Sequence, residues 1–167
     1  PDEVLKSPFV DFVVRNEGEI TLPELLKGTP PEKVLGLSFK TEAGMVHNPD
    51  RPWIKNLDEV PYPAYHLLPM KKSKLTLGTA KRWPAVMLIG SRGCSFKCNF
   101  CTTAAMGSRF RFRSAENILG EIKLLVRDYG IREIHFQDDS FTLNKERVLK
   151  LCRLIRDEHV DISWLCM

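Results

Sequence analysis

Hydrophobic and polar positions fall into two regimes along this chain, separated by a stretch rich in proline. In the first regime "VDFVVRN" (Val10–Asn16) is β-branched and apolar and predicts a buried strand. "TLPELLKG" (Thr21–Gly28) then predicts a helix with Thr21 as N-cap, Pro23 in its first turn and Gly28 closing it. "KVLGLSFK" and "MVHN", joined by "TEAG", predict a hairpin. From Asn48 to Pro69 the chain holds five of its eleven prolines. Each removes a ladder donor and disfavours helix in the residue before it, so a linker is expected there.

Beyond the linker the pattern is strand, loop, helix, repeated. "AVMLIG" (Ala85–Gly90) predicts a strand. "SAENILGEIKLLVRDYG" predicts a helix with Ser114 as N-cap, Gly130 as its C-terminal stop, and Ile118, Ile122, Leu125 and Tyr129 on one face. "IREIHFQ" is the next strand. Asn144 caps a second helix, "KERVLKLCRLIRDE", with a stripe of Val148, Leu151, Cys152 and Ile155, and "ISWLCM" is a third strand. Strands alternating with helices of this length imply parallel βαβ units, in an α/β fold that is either doubly wound or a barrel. In both, ligands gather beyond the carboxyl ends of the strands. The expected organisation is a first domain over residues 1–48, a linker over 49–80 and a second domain over 81–167.

Composition narrows the classes. The 167 residues are 43% hydrophobic and 28% charged, an ordinary globular composition. No apolar stretch approaches the roughly 20 residues of a membrane helix, so no membrane span is expected, and "PDEVLKSPFV" lacks the regions of a signal peptide. A cytoplasmic protein is expected. A chain that starts on Pro1 and stops within a strand-like run is expected to be a piece of a longer protein. Net charge is +4, too small a bias to argue for nucleic acid. The alternation of arginine and phenylalanine in "GSRFRFRS" is accordingly read as a half-buried extended segment with its arginines in water.

The candidate chemistry lies in "SRGCSFKCNFC", where Cys94, Cys98 and Cys101 follow one another at offsets of four and three. A reduced compartment argues against disulfides. The same spacing would suit a cysteine stripe packed in a core, although Gly93, Ser95, Lys97 and Asn99 are poor core material. Structural zinc wants four ligands, and the fourth would have to come from Cys152, Cys166 or His135. Iron–sulfur clusters of the cuboidal type normally take four thiolates, so three would leave one iron open to a substrate. Cys152 and Cys166 themselves are read as core residues. His135 is read as a satisfied buried group, and His47, His66 and His159 carry no signal.

CxxxCxxC with an aromatic residue, Phe100, before the last cysteine resembles the signature of the radical S-adenosylmethionine superfamily. The resemblance implies a four-iron four-sulfur cluster held by Cys94, Cys98 and Cys101, with S-adenosylmethionine bound to the remaining iron and split reductively to a 5′-deoxyadenosyl radical. "EIKLLVRDYGIREIHFQDDSFT" and "FVDFVVRNEGEITLPELLKG" are similar to the branch of that superfamily with an N-terminal cobalamin-binding domain. Asn16 stands where that branch usually has glycine, and asparagine tolerates a turn at positive φ better than most residues. The fold then implied is the N-terminal half of a partial (βα) TIM-like barrel, preceded by the C-terminal end of a Rossmann-like cobalamin-binding domain. The resemblance also implies cobalamin in the complete protein, a small-molecule substrate, and an electron donor such as flavodoxin or ferredoxin. By position, Asp138, Asp139 and Ser140 at the end of the second strand, together with Phe100 and Arg113, are the candidates for contact with the cosubstrate. No catalytic residue is assigned.

Overall fold

Two units make up the chain, Pro1–Lys55 and Asn56–Met167, in a computed structural model that describes residues 1–70, 80–102 and 109–166. The boundary falls inside the stretch expected as a linker. Its residues 49–55 belong to the first unit, residues 56–70 pack within the second, and residues 71–79 lie outside the described residues.

In the first unit, helix α1 (Asp2–Leu5) precedes strand β1 (Phe12–Val14), helix α2 (Gly18–Leu26) and the hairpin β2 (Leu37–Thr41) and β3 (Gly44–His47). The strands form an antiparallel sheet in the order β1-β2-β3, with Phe12 opposite Phe39 and Phe39 opposite Val46. Val34, Leu37 and Phe39 are its buried core, packed by Val14, Leu25 and Val46. Helix α2 begins four residues before the expected start, with Glu17 rather than Thr21 at the cap position. Thr21 is therefore no cap. Its hydroxyl is buried, donates to the Leu35 carbonyl at 3.1 Å and accepts from Arg51 Nε at 2.8 Å. Asn16, at φ 61°, does adopt the left-handed conformation that its place in the sequence requires. The neighbouring Arg15 then ties β2 to the segment after β3, reaching the Leu37 carbonyl at 3.1 Å, Asp50 at 2.9 Å, the Ser38 hydroxyl and the Asn48 carbonyl.

The second unit contains strand β4 (Ala85–Leu88), a short ribbon of β5 (Ser91–Arg92) and β6 (Arg111–Phe112), helix α3 (Ala115–Tyr129), strand β7 (Glu133–Phe136), helix α4 (Lys145–Asp157) and strand β8 (Ser163–Leu165). Strands β4, β7 and β8 form a parallel sheet in chain order, each pair joined through a helix. The caps are those the sequence predicts. The Ser114 hydroxyl accepts from the Asn117 amide at 3.0 Å, the Asn144 side chain accepts from the Arg147 amide at 3.0 Å, and Gly130 closes α3 in the left-handed conformation. Ile118, Ile122 and Leu125 of α3 and Leu151 of α4 are fully buried against Ile134 and Phe136. Phe136 stacks on Phe141, with ring centroids 4.2 Å apart. Cys152 departs from its predicted place: it is exposed, and Leu154 fills the stripe beside Val148, Leu151 and Ile155. Cys166 is partly buried and packs on the core, and its thiol is pushed up from its ordinary pKa by burial.

The segment 56–70 lies against α3 through two tyrosines. Tyr62 donates to the Asn117 carbonyl at 2.8 Å, and Tyr65 donates to the buried carboxylate of Glu121 at 2.6 Å. A Cβ at Gly120 would sit 2.6 Å from the Tyr62 hydroxyl, so a glycine inside this helix is what lets the tyrosine approach. Among the described residues no helix is long and apolar enough to cross a membrane.

Side chains alternate across a strand, so Glu133 and His135 of β7 share the face opposite Ile134 and Phe136. Both are buried, and His135 Nε2 lies 2.7 Å from Glu133 Oε1. Glu133 also accepts from the Ser163 hydroxyl at 2.8 Å and from the amides of Lys81 and Arg82 at 3.2 and 3.1 Å. His135 foremost, and then these other donors, hold its carboxyl at about 2 against the ordinary 4.5, although burial acts in the opposite direction. A depressed folded pKa contributes stability that is fully present above the ordinary carboxylate value and is lost as the pH falls toward the folded one. Glu133→Gln is therefore expected to lie below the wild type in urea unfolding at pH 7. By pH 3 the gap should have narrowed; a gap that is constant from pH 7 to pH 3 would contradict this account.

Candidate functional site at the carboxyl ends of the parallel strands

Strands β4 and β7 pair from Ala85 with Glu133 to Leu88 with Phe136, and the last ladder bond runs from the Gln137 amide to the Leu88 carbonyl at 2.9 Å. There the strands part. The Gly90 amide finds no strand partner and donates to Asp138 Oδ1 at 2.7 Å, while the Ser91 hydroxyl donates to Asp138 Oδ2 at 2.5 Å. The Gly90 carbonyl accepts from the Arg113 amide at 2.9 Å and from Arg147 Nη1 at 2.8 Å. The chain then enters β5, makes the cysteine-bearing excursion, and returns on β6 with Ser91 opposite Phe112 and Arg92 opposite Arg111. This ribbon was not anticipated from the sequence.

The three cysteines therefore sit on an excursion that leaves the carboxyl end of the first parallel strand and is tied at its base by an antiparallel ribbon. Gly93 turns the chain at φ 78°, and the Cys101 amide donates to the Cys98 carbonyl at 3.1 Å. Cys94 is partly buried, Cys98 and Cys101 are exposed, and Phe100 is 92% exposed. This disposes of the packed-stripe reading, because none of the three thiols is in a core. Among the described residues no three His, Cys, Asp or Glu side chains converge as a metal site. By the chemistry of the donors, three soft thiols within eight positions on an exposed loop fit an iron–sulfur cluster, with the thiolates gathered as it is loaded.

The residues expected to meet the cosubstrate divide into two groups. Asp139 is exposed and Ser140 partly exposed, immediately beyond β7. Asp138 and Arg113 have internal partners instead. Asp138 is 1% exposed, with both carboxylate oxygens engaged as described, and burial raises its pKa against the opposing pull of Ser91, Gly90 and Arg147. Arg113 donates from Nε to the Asn117 side chain at 2.7 Å and from Nη1 to the Ile89 carbonyl at 2.9 Å, and pairs with Glu121 at 2.5 Å. Its guanidinium also lies 5.4 Å from the centre of the Tyr62 ring. The reading that placed the arginines of "RFRFR" in water thus fails at Arg113, because Glu121 on the buried face of α3 draws it inward.

Arg147 was missed altogether. It is 5% exposed, donates to the carbonyls of Gly90 and Phe141 at 2.8 and 2.7 Å, and lies 3.8 Å from Asp138. One signal was available: Arg147 stands in the first turn of α4, where the helix dipole disfavours a cation.

Residues 88–166 match the model of the radical SAM superfamily. This part of the chain belongs to that superfamily. Over 162 residues the chain is 44% identical to an uncharacterized methyltransferase, PH0819, of Pyrococcus horikoshii, covering 94% of this chain and 34% of that protein. It is 30% identical over 166 residues to the anaerobic magnesium-protoporphyrin IX monomethyl ester cyclase of Synechocystis, covering 97% of this chain and 32% of the cyclase. The cobalamin-dependent S-adenosylmethionine radical enzyme OxsB, solved with aqua-cobalamin and S-adenosylmethionine bound, superimposes with a TM-score of 0.71 at 25% identity. The match covers 92% of this chain and 22% of that one. The chain thus spans about a third of the length of the curated relatives it matches.

A Cβ added at Gly90 would lie 3.2 Å from each of Asp138 Oδ2, Ile118 Cδ1 and Phe141 Cε2. These atoms belong to the strand-end knot and the core and have little room to withdraw. Gly90→Ala is expected to cost roughly 1 to 3 kcal/mol, the usual range for overpacking. Chemical denaturation of the two proteins measures it, and a loss below about 0.5 kcal/mol would mean that the knot yields.

Proposed function

We propose that this chain is part of a radical S-adenosylmethionine enzyme in which Cys94, Cys98 and Cys101 hold three irons of a four-iron four-sulfur cluster. The observation that carries the proposal is the CxxxCxxC loop itself, ribbon-bound at the carboxyl end of the first of three parallel βα strands. This is where α/β folds of either kind collect their ligands. When bound, the cluster would supply the electron that splits S-adenosylmethionine into methionine and a 5′-deoxyadenosyl radical. Phe100, Asp139 and Ser140 remain as the side chains toward the cosubstrate. Asp139 accepts its ammonium group in a charge-assisted hydrogen bond. Asp138 and Arg113 act from behind, through the backbone that they hold.

The second unit is read as the start of a partial (βα) barrel and the first as the end of a Rossmann-like cobalamin-binding domain. Cobalamin in the complete protein is supported by the likeness to OxsB, solved with aqua-cobalamin bound. Methyl transfer to a small molecule is the favoured outcome, on the likeness to the Pyrococcus methyltransferase, and radical rearrangement or cyclisation the alternative, on the likeness to the cyclase. The complete enzyme draws its electron from a donor such as flavodoxin or ferredoxin.

Anaerobic reconstitution of the complete protein, followed by iron and sulfide analysis, tests the cluster. Four irons and four sulfides per chain are expected, and Cys94→Ala, Cys98→Ala and Cys101→Ala should each lose most of them, whereas Cys152→Ala and Cys166→Ala should keep them. Stoichiometric zinc without sulfide would instead establish a non-catalytic metal-binding module.

Asp139→Ala should retain the cluster and weaken S-adenosylmethionine binding about tenfold to a hundredfold, the usual worth of one hydrogen bond to a charged group. Reductive formation of 5′-deoxyadenosine at subsaturating cosubstrate should fall in parallel. Unaltered binding would remove Asp139 from the site.

A further inference from the structure

Arg147 reaches four pieces of chain that border the proposed site. Its Nη1 holds the Gly90 carbonyl, one residue before the ribbon that bears the cysteine loop, and its Nη2 holds the Phe141 carbonyl, one residue after Ser140. The guanidinium lies 4.7 Å from the centre of the Phe141 ring and 5.6 Å from that of Phe112, the residue on which the loop returns. Asp138, which anchors Gly90 and Ser91, is 3.8 Å away.

Stability does not account for this arrangement. The guanidinium is buried in the first turn of a helix, where the dipole opposes it, and burial lowers its pKa against the pull of Asp138. Its Nε is buried with no hydrogen-bond partner among the described residues. A buried ion pair of this kind is commonly matched or exceeded in stability by apolar residues of similar volume. What apolar residues cannot reproduce is a rigid fork that fixes two carbonyls at a set separation.

We infer that Arg147 is a positioning residue of the proposed site: by gripping the carbonyls of Gly90 and Phe141 at once, it sets the base of the cysteine loop against Asp139 and Ser140. The inference rests on the function proposed above. Cluster and cosubstrate contacts come from two separate segments, and Arg147 is, among the described residues, a buried side chain that donates at the edge of both.

The test uses the complete protein, anaerobically reconstituted, as wild type, Arg147→Lys, Arg147→Met and the double variant Asp138→Asn/Arg147→Met. Iron content, thermal midpoint, S-adenosylmethionine affinity and the change in the electron paramagnetic resonance spectrum of the reduced cluster on adding S-adenosylmethionine are measured. Arg147→Met leaves the Asp138 charge buried and should lower the midpoint, whereas the double variant removes both charges and should recover it. Iron should stay at the wild-type level in all four. Affinity should fall tenfold or more in both methionine variants, with a diminished spectral response, and be partly kept in Arg147→Lys, which can reach only one carbonyl well. Affinity that returns with the midpoint in the double variant would reduce Arg147 to a stabilising residue and overturn the inference, as would unchanged affinity in Arg147→Met. A wild type that holds no cluster or does not bind S-adenosylmethionine would instead overturn the underlying function, and the inference with it.

Discussion

Where β4 and β7 separate, the carboxylate of Asp138 takes the place of a missing stretch of backbone ladder. Parallel strands satisfy each other's amides only while they remain paired, and a buried amide left over at the divergence costs about as much as a lost hydrogen bond. Asp138 Oδ1 accepts the Gly90 amide and Oδ2 the Ser91 hydroxyl, so the first strand can leave the sheet while its exit remains bonded to the second. Burying the carboxylate is unfavourable, as its raised pKa records, and the nearby Arg147 offsets that cost in part. The direction of the cysteine loop and the placement of Asp139 both depend on this one contact, because Asp138 adjoins Asp139 in the chain and holds the residues from which the loop departs.

A second polar network repeats the device one layer further out. Tyr65 and Arg113 converge on the Glu121 carboxylate inside α3, and Arg113 reaches the Ile89 carbonyl while its own amide bonds Gly90. The segment 56–70 is thereby connected, through two tyrosines and a buried glutamate, to Gly90, which Asp138 and Arg147 also hold. Satisfied buried networks of this kind specify a unique arrangement, because each member loses its partner if any other moves. Residues 89–91 are consequently held by Arg113, just before α3, by Arg147 of α4 and by Asp138, just beyond β7.

Legibility in the sequence follows the same division. Helices α3 and α4 were readable because hydropathy repeats with the helical period, and Ser114, Asn144 and Gly130 mark their ends by chemistry that is local to the chain. The place of the cysteine loop was readable because it follows directly on the apolar run of the first parallel strand. Asp138, Arg113, Glu121 and Arg147 were not, since a charged side chain counts as polar in any periodic pattern whether it faces water or a buried partner, and those partners lie up to 57 residues away. Cys152 shows the converse error: its type and spacing suggested the core, yet α4 turns Leu154 inward in its place. The start of α2 was misplaced because a threonine hydroxyl can cap a helix or bond across to another segment, and at Thr21 the Leu35 carbonyl won.

The cysteine loop joins a fixed base to thiols that are partly or wholly exposed, and the two properties serve different ends. A two-residue ribbon, bonded from below through Gly90 and Ser91, sets where the excursion begins and returns. Thiols packed in a core would be shielded from any ligand, whereas Cys98 and Cys101 are exposed and Cys94 is only partly buried. On the proposed function, rigidity is needed less in the three thiols than in the distance between that loop and the acidic segment after β7, which no thiol can set. The buried charges are concentrated on that distance.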